Sequence, residues 1–301
     1  MEFLTVVLPI FVIFAIGYIG QRIFSFDTRQ LSTMALYLIS PFLVFRTFYT
    51  NTLSQEYMYL LLYTLLLSGI LLVLIRMFAT FRNWQPGETA GVMLAGSFMN
   101  NGNYGAPLAL FVFGAAGMDI AIILMVLQQI MMSTVGIFIA SKGGKGGGSV
   151  GKAMMSVLKM PILHAAILGI TVQVSPLSLG GAVANIVSLV ADAAIPVIMI
   201  ILGMQLANVT IKKVKYEMIV SAVVVRILIS PLLAIVLVWF MPLDEMTKLV
   251  MILMAATPTS ANITLYALRF KTEPEFVSLT TLVTTVLTLV SMPITMWFLL
   301  S

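Results

Sequence analysis

Asn100-Asn101-Gly102-Asn103-Tyr104-Gly105-Ala106-Pro107 interrupts an apolar run that extends over roughly residues 88–114. A run of that length suits a bilayer crossing, which takes about 20 apolar residues in a helix. Glycine and proline are the residues that break such a helix. A break at that depth frees backbone N–H and C=O groups that hydrocarbon cannot satisfy. The segment must therefore be buried in protein or line a wet cavity. The asparagine amides offer donors and acceptors to the freed groups or to a solute.

A second interruption, Thr257-Pro258-Thr259-Ser260-Ala261-Asn262, lies in the apolar run of roughly residues 245–269. The two breaks begin at the same distance after a glutamate, Glu88 in one run and Glu245 in the other. One isolated kink reads most simply as a packing device, because Gly and Pro are frequent in membrane helices. Two matched breaks, each filled with amides or hydroxyls, read as the paired discontinuous helices of a secondary transporter.

The rest of the chain has the composition of a membrane protein. Hydrophobic residues make up 60% of it and charged residues 9%, where a soluble domain carries about 25% charge. Apolar runs fall at roughly 3–22, 31–50, 57–79, 88–114, 118–140, 153–173, 182–207, 217–240, 245–269 and 275–299. The expected fold is thus all-α, with about ten transmembrane helices. Lipid satisfies no open sheet edge, so the spans must be helices. Residues 3–20 read as the first span and not as a cleavable signal, since Glu2 precedes them in place of a basic segment.

Basic residues give the expected orientation. Arg22, Arg29, Arg76, Arg82, Lys142, Lys145, Lys152, Lys159, Lys212, Lys213, Lys215, Arg269 and Lys271 all fall on one side of the span pattern. Only Arg46 and Lys248 fall on the other. The basic side should be cytoplasmic, which puts both termini outside. The expected location is a cell membrane, inner or plasma, crossed many times. The net charge of +5 follows from these loops and calls for no nucleic-acid partner.

The Gly-rich stretch 141–152 reads as a short linker between residues 1–140 and 153–301. Five spans on each side give the halves opposite topology. Pro9 and Gly17 match Pro161 and Gly169, Pro41 resembles Pro196, and the two breaks match each other. This ordered series points to an inverted repeat.

The expected site lies at the breaks. Each second half-helix, starting near Tyr104 and near Ala261, turns its partly positive N-terminus toward mid-membrane, which suits a carboxylate. Asn100, Asn101, Asn103, Tyr104, Thr257, Thr259, Ser260 and Asn262 are the candidate substrate-binding residues. Gly102, Gly105, Pro107 and Pro258 make the breaks. The first half-helices end in carbonyls, which suit a cation or a proton donor. No Asp or Glu lies between Gly91 and Gly117 or between Lys248 and Lys271, which excludes an all-carboxylate cation site there.

Ionisable residues within membrane spans are functional candidates, because burying them in lipid is costly. Asp192 and Arg226 are candidates for coupling to a proton or sodium ion, or for a structural pair across the helix bundle. His164, the only histidine, is either a proton carrier or a satisfied neutral side chain. Arg46 reads as an interfacial anchor. The 22 methionines read as pliable packing. With no cysteine and one histidine, the chain carries no disulfide and no convergent nucleophile–base or metal set. No enzyme activity, metal or cofactor is expected.

The segments NNGNYGAPLALFVFG (100–114), LGMQLA (202–207) and ATPTSANITLYA (256–267) resemble the auxin efflux carrier family, whose bacterial members include malonate- and malate-type permeases. The resemblance runs over essentially the whole chain. It implies two inverted five-helix repeats with broken helices 4 and 9 crossing. Spans 1, 2, 6 and 7 would form a scaffold, often dimeric, and spans 3–5 and 8–10 a moving transport domain. It further implies an elevator-type mechanism and carboxylate substrates. The family's crossing positions map onto Asn100, Asn101, Asn103, Pro107, Pro258 and Asn262. An anion channel, or a ligand sensor built on a carrier fold, is the alternative.

Overall fold

The computed structural model describes residues 2–52, 54–144, 155, 158–176, 179–208 and 215–300. Most of the expected linker lies outside these residues, as do Lys145, Lys152, Lys212 and Lys213. Helices follow in the order α1 (Glu2–Phe24), α2 (Thr28–Thr50), α3 (Glu56–Phe81) and α4 (Pro86–Ser97). The helix Ala106–Met131 is bent open at Gly114, whose φ of 70° and ψ of −161° are not helical. We therefore describe it as α5 (106–113) and α6, which continues from 115 to 143. Then come α7 (Pro161–Val174), α8 (Gly181–Ala207), α9 (Tyr216–Trp239), α10 (Glu245–Ala255), α11 (Ala261–Phe270) and α12 (Pro274–Leu300).

Six helices among the described residues are long and apolar enough to cross a bilayer: Thr28–Thr50, Glu56–Phe81, Asn101–Gly143, Gly181–Ala207, Tyr216–Trp239 and Pro274–Leu299. Leu8–Phe24 and Pro161–Val174 are shorter apolar helices. The apolar run 88–114 is divided between α4 and α5, and the run 245–269 between the short helices α10 and α11. Large apolar side chains such as Ile16, Leu189, Trp239 and Val290 lie exposed on the outer face. That is the surface of a protein solvated by lipid rather than water.

Four π turns lie within the helices of the described residues, and three of them have a common cause. The turns Ala35–Ile39, Asn101–Gly105 and Val225–Ile229 each precede a proline by two residues, at Pro41, Pro107 and Pro231. A proline ring clashes with the carbonyl four residues back, and widening the turn relieves the clash. Ser40 then donates to the Ala35 carbonyl, at 2.9 Å. The fourth turn, Met132–Gly136, has no such proline.

Glycines set two close helix contacts. α1 packs on α8, and a Cβ at Gly17 would lie 2.1 Å from the Ile200 carbonyl oxygen. One at Gly203 would lie 2.0 Å from that of Phe14. α7 packs on α2, and a Cβ at Gly169 would lie 2.7 Å from the Phe45 carbonyl oxygen. Small residues of this kind let membrane helices approach backbone to backbone. At one end of the bundle, Arg82 pairs with Glu217 at 2.6 Å and Lys215 pairs with Glu88, which ties together the ends of α3, α4 and α9.

Candidate functional site

The two interruptions meet. After α4 ends at Ser97, Phe98 is extended and Met99 faces Thr259 in an antiparallel bridge. The Asn100 N–H donates to the Pro258 carbonyl at 2.9 Å, and the Ser260 N–H donates to the Phe98 carbonyl at 3.0 Å. Each break thus satisfies backbone groups of the other, which is what a low-dielectric interior demands.

The first break is shorter and earlier than the sequence suggests. Helical geometry resumes at Asn101 as a π turn, so Gly102 and Gly105 lie inside a turn and Pro107 inside a helix. Their small size serves packing instead. A Cβ at Gly105 would lie 2.6 Å from the Met254 sulfur, and one at Gly102 would lie 3.0 Å from the Met125 sulfur. The second break falls where expected: α10 ends at Ala255 and α11 begins at Ala261, with Pro258 between them.

Several of the freed groups find partners. Asn100 caps the second half-helix, its Oδ1 accepting from the Asn103 N–H at 3.2 Å. Thr257 donates its hydroxyl to the Met254 carbonyl at 2.8 Å and faces Asn101 Oδ1 at 3.5 Å. The Thr259 hydroxyl donates to the Ala95 carbonyl of α4 at 2.7 Å, while its N–H donates to Thr284 Oγ1 of α12 at 3.1 Å. The Asn100 amide nitrogen is buried and has no partner among the described residues. Asn103 and Asn262 are half-buried, and Asn262 donates to Gln129 Oε1 of α6 at 3.4 Å. Gln129 in turn contacts Ser133 at 3.3 Å, and Ser133 shares a 3.0 Å hydrogen bond with Tyr266 of α11.

Tyr104 stands apart from this polar set. Its ring is fully buried and packs on Phe14 and Phe11 of α1, with centroids 5.8 Å and 6.3 Å away.

The suggested pair of Asp192 with Arg226 does not form. Asp192 pairs with Arg46 of α2 at 2.5 Å, so Arg46 is an ion-pair partner and not only an anchor. Arg226 is fully buried and reaches the ends of both first half-helices. It donates to the Gly96 carbonyl of α4 at 3.2 Å, to the Ala255 carbonyl of α10 at 2.7 Å, and to Ser230 Oγ. His164 lies exposed in the first turn of α7, its Nδ1 2.8 Å from the Met160 carbonyl oxygen. The breaks therefore gather Asn100, Asn101, Asn103, Thr257, Thr259, Ser260, Asn262 and Arg226, and leave out Asp192 and His164.

Sequence reading missed Gln129, Ser133, Tyr266 and Thr284. The signals were present: a Gln128-Gln129 doublet within an apolar span, and threonines recurring four apart at 280, 284 and 288 and at 281 and 285. All five of those threonines are buried. Among the described residues, no three His, Asp or Glu side chains gather as metal ligands.

A family model described as membrane transport protein matches residues 2–296. An uncharacterized transporter of Methanothermobacter thermautotrophicus is 26% identical over 296 residues, covering 97% of this chain and 94% of that one. With its mutually bonded breaks and its apolar helices, the chain belongs to the auxin efflux carrier family of membrane transport proteins.

Proposed function

We propose that this transporter is a secondary carrier for a small organic anion, and that its substrate carboxylate binds beside the crossed breaks. The pairing of the two breaks is the observation that carries this reading. It brings the N-termini of the second half-helices to one place, and together they offer positive potential and free N–H donors. The unpartnered Asn100 amide and the half-buried Asn103 and Asn262 add neutral donors. Gln129, Ser133 and Tyr266 widen the polar surface. A partner set of amides and hydroxyls, free of carboxylates, favours an anion over a metal cation.

On this reading the chain has ten spans in two inverted halves, with both termini outside the cell membrane. Two reciprocal contacts support the inversion. α1 packs on α8 at Gly17, and α7 packs on α2 at Gly169, which is the residue that Gly17 matches in sequence. The antiparallel bridge between Met99 and Thr259 has the local two-fold form that crossed inverted repeats require. α1, α2, α7 and α8 serve as a scaffold, paired with that of a second copy. The remaining helices carry the site across the bilayer as an elevator.

The test is uptake of labelled malonate, malate and aromatic acids into proteoliposomes. Saturable uptake of at least one is expected. Asn103→Ala should abolish most of it while leaving the protein's melting temperature unchanged. Full uptake by that variant would remove the site, and flux that never saturates would replace the carrier by a channel.

A further inference from the structure

The ends of α4 and α10 present the carbonyls that the sequence marks as fit for a cation. Broken-helix transporters use such half-helix C-termini to coordinate a coupling ion. In this chain the place is filled from within. Arg226, fully buried on the π turn of α9, donates to the Gly96 carbonyl in the last turn of α4 and to the Ala255 carbonyl at the end of α10. Ser230, one turn on, donates to the same Ala255 carbonyl at 2.8 Å and accepts from the guanidinium.

The charges match. A helix C-terminus carries about −0.5 of an elementary charge, so two of them together offset about one positive charge. Among the described residues no carboxylate pairs with Arg226. A guanidinium without a counter-ion is tolerable when buried only if dipoles and hydrogen bonds replace its water. The two helix ends and Ser230 do this for the two terminal nitrogens, while Nε is buried with no partner among the described residues; Arg226 thereby holds α9, α4 and α10 together.

We propose that Arg226 is a built-in counter-cation, holding the position between the two helix ends that a coupling sodium ion would otherwise take. The proposal rests on the carrier reading for what it says about coupling: this crossing takes up no sodium, and a positive charge held in the moving domain travels with the substrate.

The experiment is thermal unfolding of the full-length protein in detergent, at constant ionic strength, in sodium chloride and in N-methylglucamine chloride. The wild type should melt at the same temperature in both salts. Arg226→Met should melt lower by about 5 °C or more, since it strips two helix ends of their partner. Methylguanidinium chloride at millimolar levels should return part of that loss. Arg226→Lys, which keeps the charge, should be more stable than Arg226→Met in both salts. Sodium-dependent stabilisation of the wild type would overturn the proposal, and so would an Arg226→Met protein as stable as the wild type. Where Arg226→Met yields no folded protein, the wild-type salt comparison and the lysine variant still decide. None of these readouts uses transport, so an absence of carboxylate uptake would count against the carrier reading alone.

Discussion

Thr259 donates its hydroxyl to the carbonyl of Ala95, 164 positions earlier in the chain, at 2.7 Å. That carbonyl belongs to the last turn of α4, where helix geometry leaves it without a partner of its own. The same residue gives its N–H to Thr284 of α12. One small side chain thus joins the second break to the end of the first half-helix, while its backbone binds the neighbouring threonine-rich helix.

Thr259→Val keeps the shape and removes the donor. It should destabilise the protein by about 1–3 kcal/mol, the usual cost of leaving a buried carbonyl unsatisfied. Thr259→Ser should retain most of the stability. Melting temperatures of the three proteins in one detergent check this, and a valine variant as stable as the serine variant would show the bond to be idle.

Gly203 and Gly20 should respond in opposite directions to the same change. A Cβ at Gly203 would sit 2.0 Å from the Phe14 carbonyl oxygen and 2.8 Å from its carbon, so α1 and α8 must part. Gly203→Ala should cost about 1–3 kcal/mol, as overpacking does. Gly20 is also helical but has nothing within 4 Å of its Cβ position. Gly20→Ala should stabilise by up to about 1 kcal/mol through helix propensity. The two melting curves, read against the wild type, test whether the α1–α8 contact is as close as its backbones indicate.

Periodicity and punctuation made the frame legible. Apolar runs located the helices, because lipid leaves the backbone few other solutions, and Gly and Pro marked both breaks. What stayed hidden was depth and pairing. The run Asn100–Pro107 looked like one long interruption, yet a π turn absorbs Asn101–Gly105 and confines the extended backbone to the residues just before it. A sequence shows which residues relax a helix but not whether the chain widens or breaks there. Asp192 and Arg226 illustrate the second limit. Their depths in adjacent spans suggested a pair, but rotation about each helix axis sent one to Arg46 and the other to the helix ends.

Gln129 is the residue to vary if the polar cluster beside α11 orients the substrate. It accepts from Asn262 and contacts Ser133, which in turn bonds Tyr266. Gln129→Leu should raise the KM for carboxylate uptake by about 2- to 10-fold, the worth of one neutral hydrogen bond, with little change in maximal rate. Tyr266→Phe should act in the same direction through Ser133. An unchanged KM in both variants would confine the site to the breaks themselves.

Thr47 of α2 is buried and donates to Asp119 Oδ1, near the start of α6, at 3.0 Å. On the elevator reading this bond spans scaffold and moving domain, so it exists in one end state and must break on the way to the other. Thr47→Val removes about 0.5–1.5 kcal/mol from the bonded state and should shift the population toward the opposite state by about 2- to 10-fold. The chain has no cysteine, so a single one placed at Asn103 reports accessibility without background. Labelling it from each side of sealed vesicles with a membrane-impermeant maleimide measures the two populations directly. The ratio of the two labelling rates should move by that factor in Thr47→Val. A constant ratio, with both proteins folded, would mean that α2 and α6 keep their contact throughout the cycle and that the boundary between scaffold and moving domain runs elsewhere.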